Sequence, residues 1–142
     1  MTDNKKIYVT DGTDIEAKID ELKAEGYTDV TISINTLHHT KYNHTNDGKH
    51  LQDVIDGINI AAKNKLGIRL DVSITEGLSD DEVLDFLQLT FQHNFDIVFM
   101  PTISYDFLKS KMPALRQIPG EFDGIDFYKY PGAIGRIGFI LN

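Results

Sequence analysis

Four of the five histidines, His38, His39, His44 and His50, lie within a stretch of thirteen residues. Imidazole is the commonest protein ligand for metal ions near neutral pH, so convergence of His39, His44 and His50 would create a site for zinc or nickel. Their spacing matches no metal-binding pattern that has a known mechanism, and the segment is rich in Asn, Thr and Lys. We therefore favour a solvated loop or frayed helix over residues 38–49 and keep the metal site as an alternative.

Two arginines have the chemistry to bind an anion. Arg136 stands at the start of one predicted strand and Arg69 near the start of another. A guanidinium binds phosphate or carboxylate through two parallel N–H bonds, so these two residues would suit an anionic ligand if they lie close together. The glycines at 132, 135 and 138 are similar to a phosphate-binding loop only superficially, because they do not follow a strand and open a helix as the dinucleotide fingerprint requires. A turn between two strands explains them better.

The absence of cysteine from all 142 residues excludes several kinds of site at once. Without thiolates there is no disulfide, no cysteine–zinc site, no cysteine nucleophile and no iron–sulfur ligation. The net charge of −8 and the scattered basic residues argue against a nucleic-acid partner. No apolar run is long enough for a membrane span, and the N-terminus lacks the apolar core of a signal peptide. We expect a cytoplasmic protein that holds no cofactor and contacts neither nucleic acid nor membranes.

Short apolar–polar alternations separated by amphipathic helical patterns predict an α/β fold with parallel strands. Capping-box patterns mark two helix starts, Thr13 to Glu16 and Ser79 to Glu82, and the second explains the acidic run Asp80-Asp81-Glu82 without a metal. A closed eight-stranded barrel needs roughly 250 residues. We therefore expect one α/β domain over residues 1–142, either a partial (β/α) barrel or an open, mostly parallel sheet. It should have about six strands, three to four helices and a C-terminal strand pair.

The expected strands cover residues 6–10, 29–34, 68–74, 96–100, 124–130 and 135–141. The expected helices begin after Thr13, at Leu51 and after Ser79, and a short helical piece is expected at 105–111.

Five short strings resemble those of one known family, in the family's order and near its spacing. Val9-Thr10-Asp11-Gly12 is similar to the Thr-Thr-Asn-Gly that ends one barrel strand in the MoaA family, the radical S-adenosylmethionine GTP cyclases of molybdenum cofactor biosynthesis. Residues 30–36, Val-Thr-Ile-Ser-Ile-Asn-Thr, are similar to the family's Val-x-Val-Ser-Leu-Asp-Thr. The other strings are residues 53–58, 77–82 and 135–140. The resemblance covers most of this chain but well under half of a typical family member.

The resemblance implies a radical S-adenosylmethionine fold. Family members bind S-adenosylmethionine and GTP beside two iron–sulfur clusters held by cysteine triplets, and the resemblance places this chain after the first triplet and before the second. Thr10 and Ser33 match strand-end hydroxyls that contact S-adenosylmethionine, and Arg69 matches a lysine that reaches the triphosphate of GTP. Asp11 and Asn35 replace the family's Asn and Asp. Residues 98–101, Val-Phe-Met-Pro, replace the charged Arg-Phe-Ile-Glu of the family.

The resemblance and the arginines together define a candidate ligand site: Thr10, Gly12, Ser33, Asn35, Arg69 and Arg136. Without cysteine the chain alone cannot carry out radical chemistry, so we expect a non-catalytic, truncated relative that acts through protein contacts. Two alternatives remain open. One is a small-ligand module that retains nucleotide or S-adenosylmethionine binding at the carboxyl ends of the strands, and the other is a metal binder built on the histidine segment.

Aromatic side chains are concentrated in the C-terminal third, where we expect core or interface positions rather than base-stacking platforms. They are Tyr105, Phe107, Phe122, Phe127, Tyr128 and Tyr130. A partial barrel leaves strand edges and apolar flanks open. We therefore expect a homo-oligomer, or a protein partner that covers these edges.

Overall fold

Seven strands form one continuous sheet in the computed structural model, which describes residues 5–46, 48–73, 80–100, 109–120 and 124–140. Their order across the sheet is β1-β2-β3-β4-β7-β6-β5. The strands are β1 (Ile7–Thr10), β2 (Asp29–Ile34), β3 (Gly67–Val72), β4 (Asp96–Phe99), β5 (Arg116–Gln117), β6 (Ile125–Lys129) and β7 (Arg136–Ile140). The helices are α1 (Ile15–Ala24), α2 (His39–Thr45), α3 (Leu51–Lys63) and α4 (Asp80–Gln92).

The pairing of the strands confirms the predicted α/β fold. β1, β2, β3, β4 and β7 run parallel, and β6 and β5 continue the sheet antiparallel, so β6 and β7 form the expected C-terminal pair. The sheet is open rather than closed into a barrel. β5 was not predicted, because its two residues are exposed and show no alternation. The residue 38–49 segment, predicted as a loop or frayed helix, contains the regular helix α2.

One face of the sheet carries the main hydrophobic core. Alternate residues of β2, from Val30 to Ile34, and of β3, from Ile68 to Val72, are buried there. Residues of α1, α3 and α4 belong to the same core, including Ile15, Leu51 and Phe86. Since successive side chains of a strand point to opposite faces, this burial pattern places the described core helices on a single face of the sheet.

The opposite face is the one we call the open face, and it carries the side chains of Val9, Thr31, Ser33, Arg69 and Arg136 at alternate strand positions. A small second cluster covers part of it. That cluster consists of Val98, Ile125 and Phe127, with Ile118 and Ile140 packed against them. No helix among the described residues has the length and apolar content needed to cross a membrane.

The predicted start of α1 was wrong by one residue. The helix has Asp14, not Thr13, at its N-cap, and no side chain caps it. The reason is that the Thr13 hydroxyl donates instead to Asp11 at 2.6 Å, while Asp14 accepts the hydroxyls of Tyr8 and Thr10. Polar side chains that can bond locally compete in this way with a capping role.

Some predicted features lie outside the described residues. These are the capping residue Ser79, Pro101, most of the helical piece at 105–111, and the aromatic residues Tyr105, Phe107 and Phe122. Of the remaining aromatics, Phe127 is buried in the second cluster, and Tyr128 and Tyr130 pack against the main core.

Two glycines allow α3 to approach the turn between β1 and α1. A Cβ atom on Gly57 would lie 2.6 Å from the carbonyl oxygen of Gly12 and 3.2 Å from Cβ of Ile15. Gly12 itself has a φ of +90°, and its own Cβ would come within 2.9 Å of Cγ1 of Val54. The position of the β1–α1 turn, which carries part of the candidate ligand site, therefore depends on this close packing.

We expect Gly57→Ala to destabilise the protein by about 1–3 kcal/mol, the usual cost of overpacking a core, because the backbone oxygen of Gly12 cannot rotate away. The better helix propensity of alanine, worth about 1 kcal/mol over glycine, offsets only part of this cost. Urea unfolding followed by circular dichroism measures the change. Asn59→Ala on the exposed side of the same helix is the control, and an equal loss of stability there would contradict the packing argument.

Candidate functional site

A row of polar residues crosses the open face on neighbouring strands. The strand register places Arg69 of β3 beside Asp96 of β4, and Asp96 beside Arg136 of β7. Thr31 of β2 lies on the other side of Arg69, and Val9 of β1 lies beside Thr31. The fold therefore brings the two arginines singled out in the sequence into one row, with a carboxylate between them.

Arg136 binds Asp96 through two hydrogen bonds. Its Nε donates to Oδ1 at 2.9 Å and its Nη2 donates to Oδ2 at 2.8 Å, which is the bidentate geometry of a guanidinium and a carboxylate. The guanidinium carbon lies 3.9 Å from the centre of the Phe127 ring, a cation–π arrangement. The hydrogen bonds to Asp96 raise the pKa of Arg136. In this fold the bidentate carboxylate partner of Arg136 is thus a residue of the neighbouring strand.

Arg69 is paired within its own strand, where its Nε donates to Oδ1 of Asp71 at 2.6 Å. Arg69, Asp96 and Arg136 line a cavity of about 640 Å³ on the open face. Asp29 and Gly67, the first residues of β2 and β3, also line it. The cavity therefore lies at the amino ends of the parallel strands, whereas the ligand-module alternative placed a ligand at their carboxyl ends.

The predicted hydroxyl residues lie on different faces of the sheet. Ser33 is exposed on the open face and lies beside Asp71 in the strand register. Asn35 follows at the end of β2, where its Oδ1 is 3.5 Å from Nδ2 of Asn46. Thr10 has the opposite orientation: its hydroxyl donates to Asp14 and accepts the N–H of Gly12 at 3.1 Å. Ser33 thus shares a face of the sheet with Arg69, whereas Thr10 does not. Asn35 and Gly12 lie in the segments that follow their strands.

Asp11 follows β1 and connects two loops. Its carboxylate accepts the N–H of Thr13 at 3.0 Å, the Thr13 hydroxyl at 2.6 Å and the ammonium of Lys49. Partial burial alone would raise the pKa of Asp11, but the hydrogen bonds from Lys49 and Thr13 outweigh it and lower the pKa to about 2. The residue is therefore ionised at neutral pH and anchors the segment before α3.

Glu82 forms a second polar connection, at the carboxyl edge of the sheet. Its side chain is only 2% exposed. Oε1 accepts the hydroxyl of Thr36 at 2.5 Å, and Oε2 accepts Nζ of Lys41 at 2.8 Å. The sequence predicts Glu82 as part of a helix-capping run, and in the structure it also connects α4 to α2 and to the segment that follows β2. Because a buried carboxylate without partners is costly, these contacts fix the position of the first turn of α4.

The predicted histidine residues do not converge. His39 and His44 are exposed on α2, and His50 is exposed just before α3. In the part of the chain that the structure describes, no three His, Asp or Glu side chains are placed to hold a metal ion. His38 contacts a carboxylate, with its Nε2 3.2 Å from Oδ2 of Asp85.

Sequence reasoning missed the two aspartates that pair with the arginines. Asp71 could have been found, because it is two positions after Arg69 in the same strand and therefore on the same face. Asp96 and Arg136 each begin a predicted strand, but only the order β4-β7 makes those strands neighbours. Glu82 and Thr36 are 46 residues apart, and no local pattern connects them.

No family model matches the chain. The chain is 30% identical, over an alignment of 155 positions including gaps, to the GTP 3′,8-cyclase of Peptoclostridium acidaminophilum, a match that covers 96% of this chain and 48% of that protein. The GTP 3′,8-cyclase of Alkaliphilus metalliredigens is 31% identical over an alignment of 149 positions, which covers 92% of this chain and 46% of the relative. A shorter match, 38% over 84 residues, is to the enzyme of the same name from Listeria welshimeri. The chain thus spans about half the length of the curated relatives that it matches over most of its own length.

We expect Asp11→Asn to lower stability at neutral pH and to make little difference near pH 2. The folded-state pKa, about 2, is below the ordinary value of 3.8, so the stabilisation is complete above about pH 5, decreases as the pH falls below 3.8 and is lost as the pH falls through about 2. The side chain is 36% exposed, and after allowance for solvent screening we expect a loss of about 1 kcal/mol.

Urea unfolding of both proteins between about pH 7 and about pH 2 tests this sign, because the unfolded chain takes up its proton at a higher pH than the folded protein does. Asp20→Asn, at an exposed position of α1, is the control. A stability difference at Asp11 that does not change with pH would contradict the prediction.

Proposed function

The chain is related to the GTP 3′,8-cyclases over nearly its whole length, and from that premise we propose that it is a cytoplasmic, non-catalytic relative connected to molybdenum cofactor biosynthesis. In this proposal it acts through contacts made by its sheet, and not through the radical chemistry that the MoaA resemblance implies for complete enzymes. The observation that carries the proposal is the absence of cysteine from all 142 residues.

An iron–sulfur cluster does not fit the donors that this chain supplies. Such clusters are held by cysteine thiolates, and the chain has none. Within the described ranges no three carboxylate or imidazole groups converge as substitutes. We therefore assign no reductive step to the residues of this chain.

The arrangement of the open face supports a role in contacts. Its arginines are engaged by carboxylates of the same face, Arg136 by Asp96 and Arg69 by Asp71. At the β1 end, Ile7 is 51% exposed and Val9 is 70% exposed. Neighbouring exposed apolar side chains on a sheet indicate an interaction surface.

We expect the purified chain, incubated anaerobically with iron and sulfide, to bind no cluster and to leave GTP unchanged when S-adenosylmethionine and a reductant are added. The reason is that reductive chemistry of this kind needs a thiolate-bound cluster as the electron source. Visible absorbance and chromatography of the nucleotide are the measurements. The GTP 3′,8-cyclase of P. acidaminophilum, treated identically, is the positive control. Consumption of GTP by this chain would overturn the proposal.

A second candidate function, binding of a small nucleotide, is favoured by the cavity on the open face. Its volume of about 640 Å³ lies within the usual range for small-molecule sites, about 300–1,000 Å³. Lys5, Arg69 and Arg136 bring cationic groups to its lining. Arg69 also matches, by the resemblance, the family lysine that reaches the triphosphate. A polyphosphate would have to compete with Asp71 and Asp96 for the guanidinium groups.

If this candidate is correct, millimolar GTP should raise the melting temperature by several degrees, because a ligand at one hundred times its dissociation constant stabilises by about 2.7 kcal/mol. Arg69→Ala should abolish the shift. Arg116→Ala, on the exposed strand β5 away from the cavity, is the matched control and should retain it. A shift that both variants retain would place the nucleotide elsewhere, and no shift in the unchanged protein would eliminate the candidate.

A further inference from the structure

We propose that the cleft between α3 and α4 binds a small apolar ring molecule of one or two fused rings. The cleft has a volume of about 290 Å³, and it lies on the covered face of the sheet, beside residues of the main core. It shares no lining residue with the cavity of the open face. The inference goes beyond the proposed function and does not depend on it. Three features carry it: the apolar lining, the short length of the cleft and a flat aromatic wall.

Apolar side chains from both helices and from the chain beside them line the cleft. Ile58 and Phe95 are its most deeply buried lining residues, only 9% and 5% exposed. Leu37, Ile55 and Leu89 also line it, and they are partly buried against the main core. Contact with an apolar ligand removes such surface from water, which is favourable. The lining therefore favours an apolar ligand over a charged one.

One end of the cleft is closed by the chain that follows β2. There the Thr36 hydroxyl donates to Oε1 of Glu82 at 2.5 Å, and Nε2 of His38 lies 3.2 Å from Oδ2 of Asp85. These contacts tie both chain neighbours of Leu37 to the first two turns of α4. The Leu37 side chain is therefore fixed at the cleft that it lines, and it limits the length of the cleft at this end.

The dimensions of the cleft favour a small molecule over a partner helix. Its lining extends from Ile55 to Asn59 on α3, and from Leu89 on α4 to His93 just after that helix. Four residues of helix rise by only about 6 Å, whereas a helix bound in a groove uses anchors spread over about two turns. An apolar cavity of about 150 Å³ is enough to hold one benzene molecule. The volume of about 290 Å³ therefore suits one ring or two fused rings.

A flat aromatic wall borders the end of the cleft that is away from Leu37. The His93 ring is stacked on the Phe95 ring, with centroids 4.5 Å apart and 9° between the planes. Aromatic rings pack well against other rings in offset-stacked or edge-to-face contacts, so this wall favours a planar ligand. The imidazole of His93 and the amide of Asn59 are the polar groups of the lining, and each can form a hydrogen bond. A planar ring with a single N–H or O–H group therefore fits the cleft.

Titration with indole, a planar bicycle with one N–H group, tests the site through the methyl NMR signals of the protein. We expect saturable shifts at Ile55 and Leu89, with a dissociation constant of about 1 mM or lower, and no saturable shift at Ile118 on the open face. Adenine, a bicycle of similar size with polar edges, should cause no such shifts, because its polar groups would be buried without partners. Absence of the indole shifts, or equal shifts with adenine, would overturn the proposal.

Filling the cleft tests its position. Leu89→Phe should raise the dissociation constant of indole by at least about tenfold, because the added ring occupies the space of the ligand and protein interiors are close-packed. Leu84→Phe is the matched control, since Leu84 lies on the same helix, is 45% exposed and is not part of the lining; it should bind indole as before. If Leu89→Phe does not fold, Ile55→Phe fills the cleft from α3. Unchanged indole binding in a folded variant with a filled cleft would refute the site.

The cleft and the lack of catalysis fail separately. A chain that binds no indole and leaves GTP unchanged would overturn the ligand site and not the proposed function. A chain that binds indole in the cleft and consumes GTP would overturn the proposed function and not the ligand site.

Discussion

The structure depends on a parallel sheet whose described helices cover only one face. Parallel sheets are usually buried on both faces, because their crossover helices lie on them. Here the residues of the open face, such as Thr31, Arg69 and Asp96, are polar. The guanidinium groups are partly desolvated, since Arg69 is 33% and Arg136 32% exposed. Each guanidinium is paired with a carboxylate on the same face, because burial of an unpaired charge would be costly.

Packing on the covered face determines the polar connections at the carboxyl edge. α3 approaches the β1–α1 turn through Gly12 and Gly57, and this approach places the segment before α3 near Asp11, where Lys49 binds. On the other side of β2, Glu82 ties the first turn of α4 to Thr36. The loops that follow β1 and β2 are therefore held by buried or paired carboxylates. A ligand could bind these groups only by displacing their present partners.

The sequence predicted those parts of the fold that depend on neighbouring residues. Strand alternation and helical spacing located β1 to β4, β6, β7 and three of the helices, because burial on one face leaves a local periodic pattern. The sequence did not distinguish the helix α2 from a loop, because its seven residues contain no apolar repeat. The N-cap of α1 was misplaced because Asp14 bonds to Tyr8 and Thr10. Candidate site residues could be named, but the pairing of Arg136 with Asp96 depends on strand order, which is a long-range property.

Resemblance in a motif does not separate residues kept for folding from residues kept for a ligand, but the fold does so here. In the string Val9 to Gly12, the Thr10 hydroxyl is bound to Asp14, the Asp11 carboxylate is bound to Lys49, and Gly12 has a positive φ against α3. Each of these has a structural reason that needs no ligand. Ser33 is different, because it is exposed on the open face and forms part of no core cluster. The 30% identity to the enzymes therefore does not require a ligand at residues 9–12, because packing alone can account for the residues of that string. Evidence of a retained ligand has to come from Ser33 and Arg69.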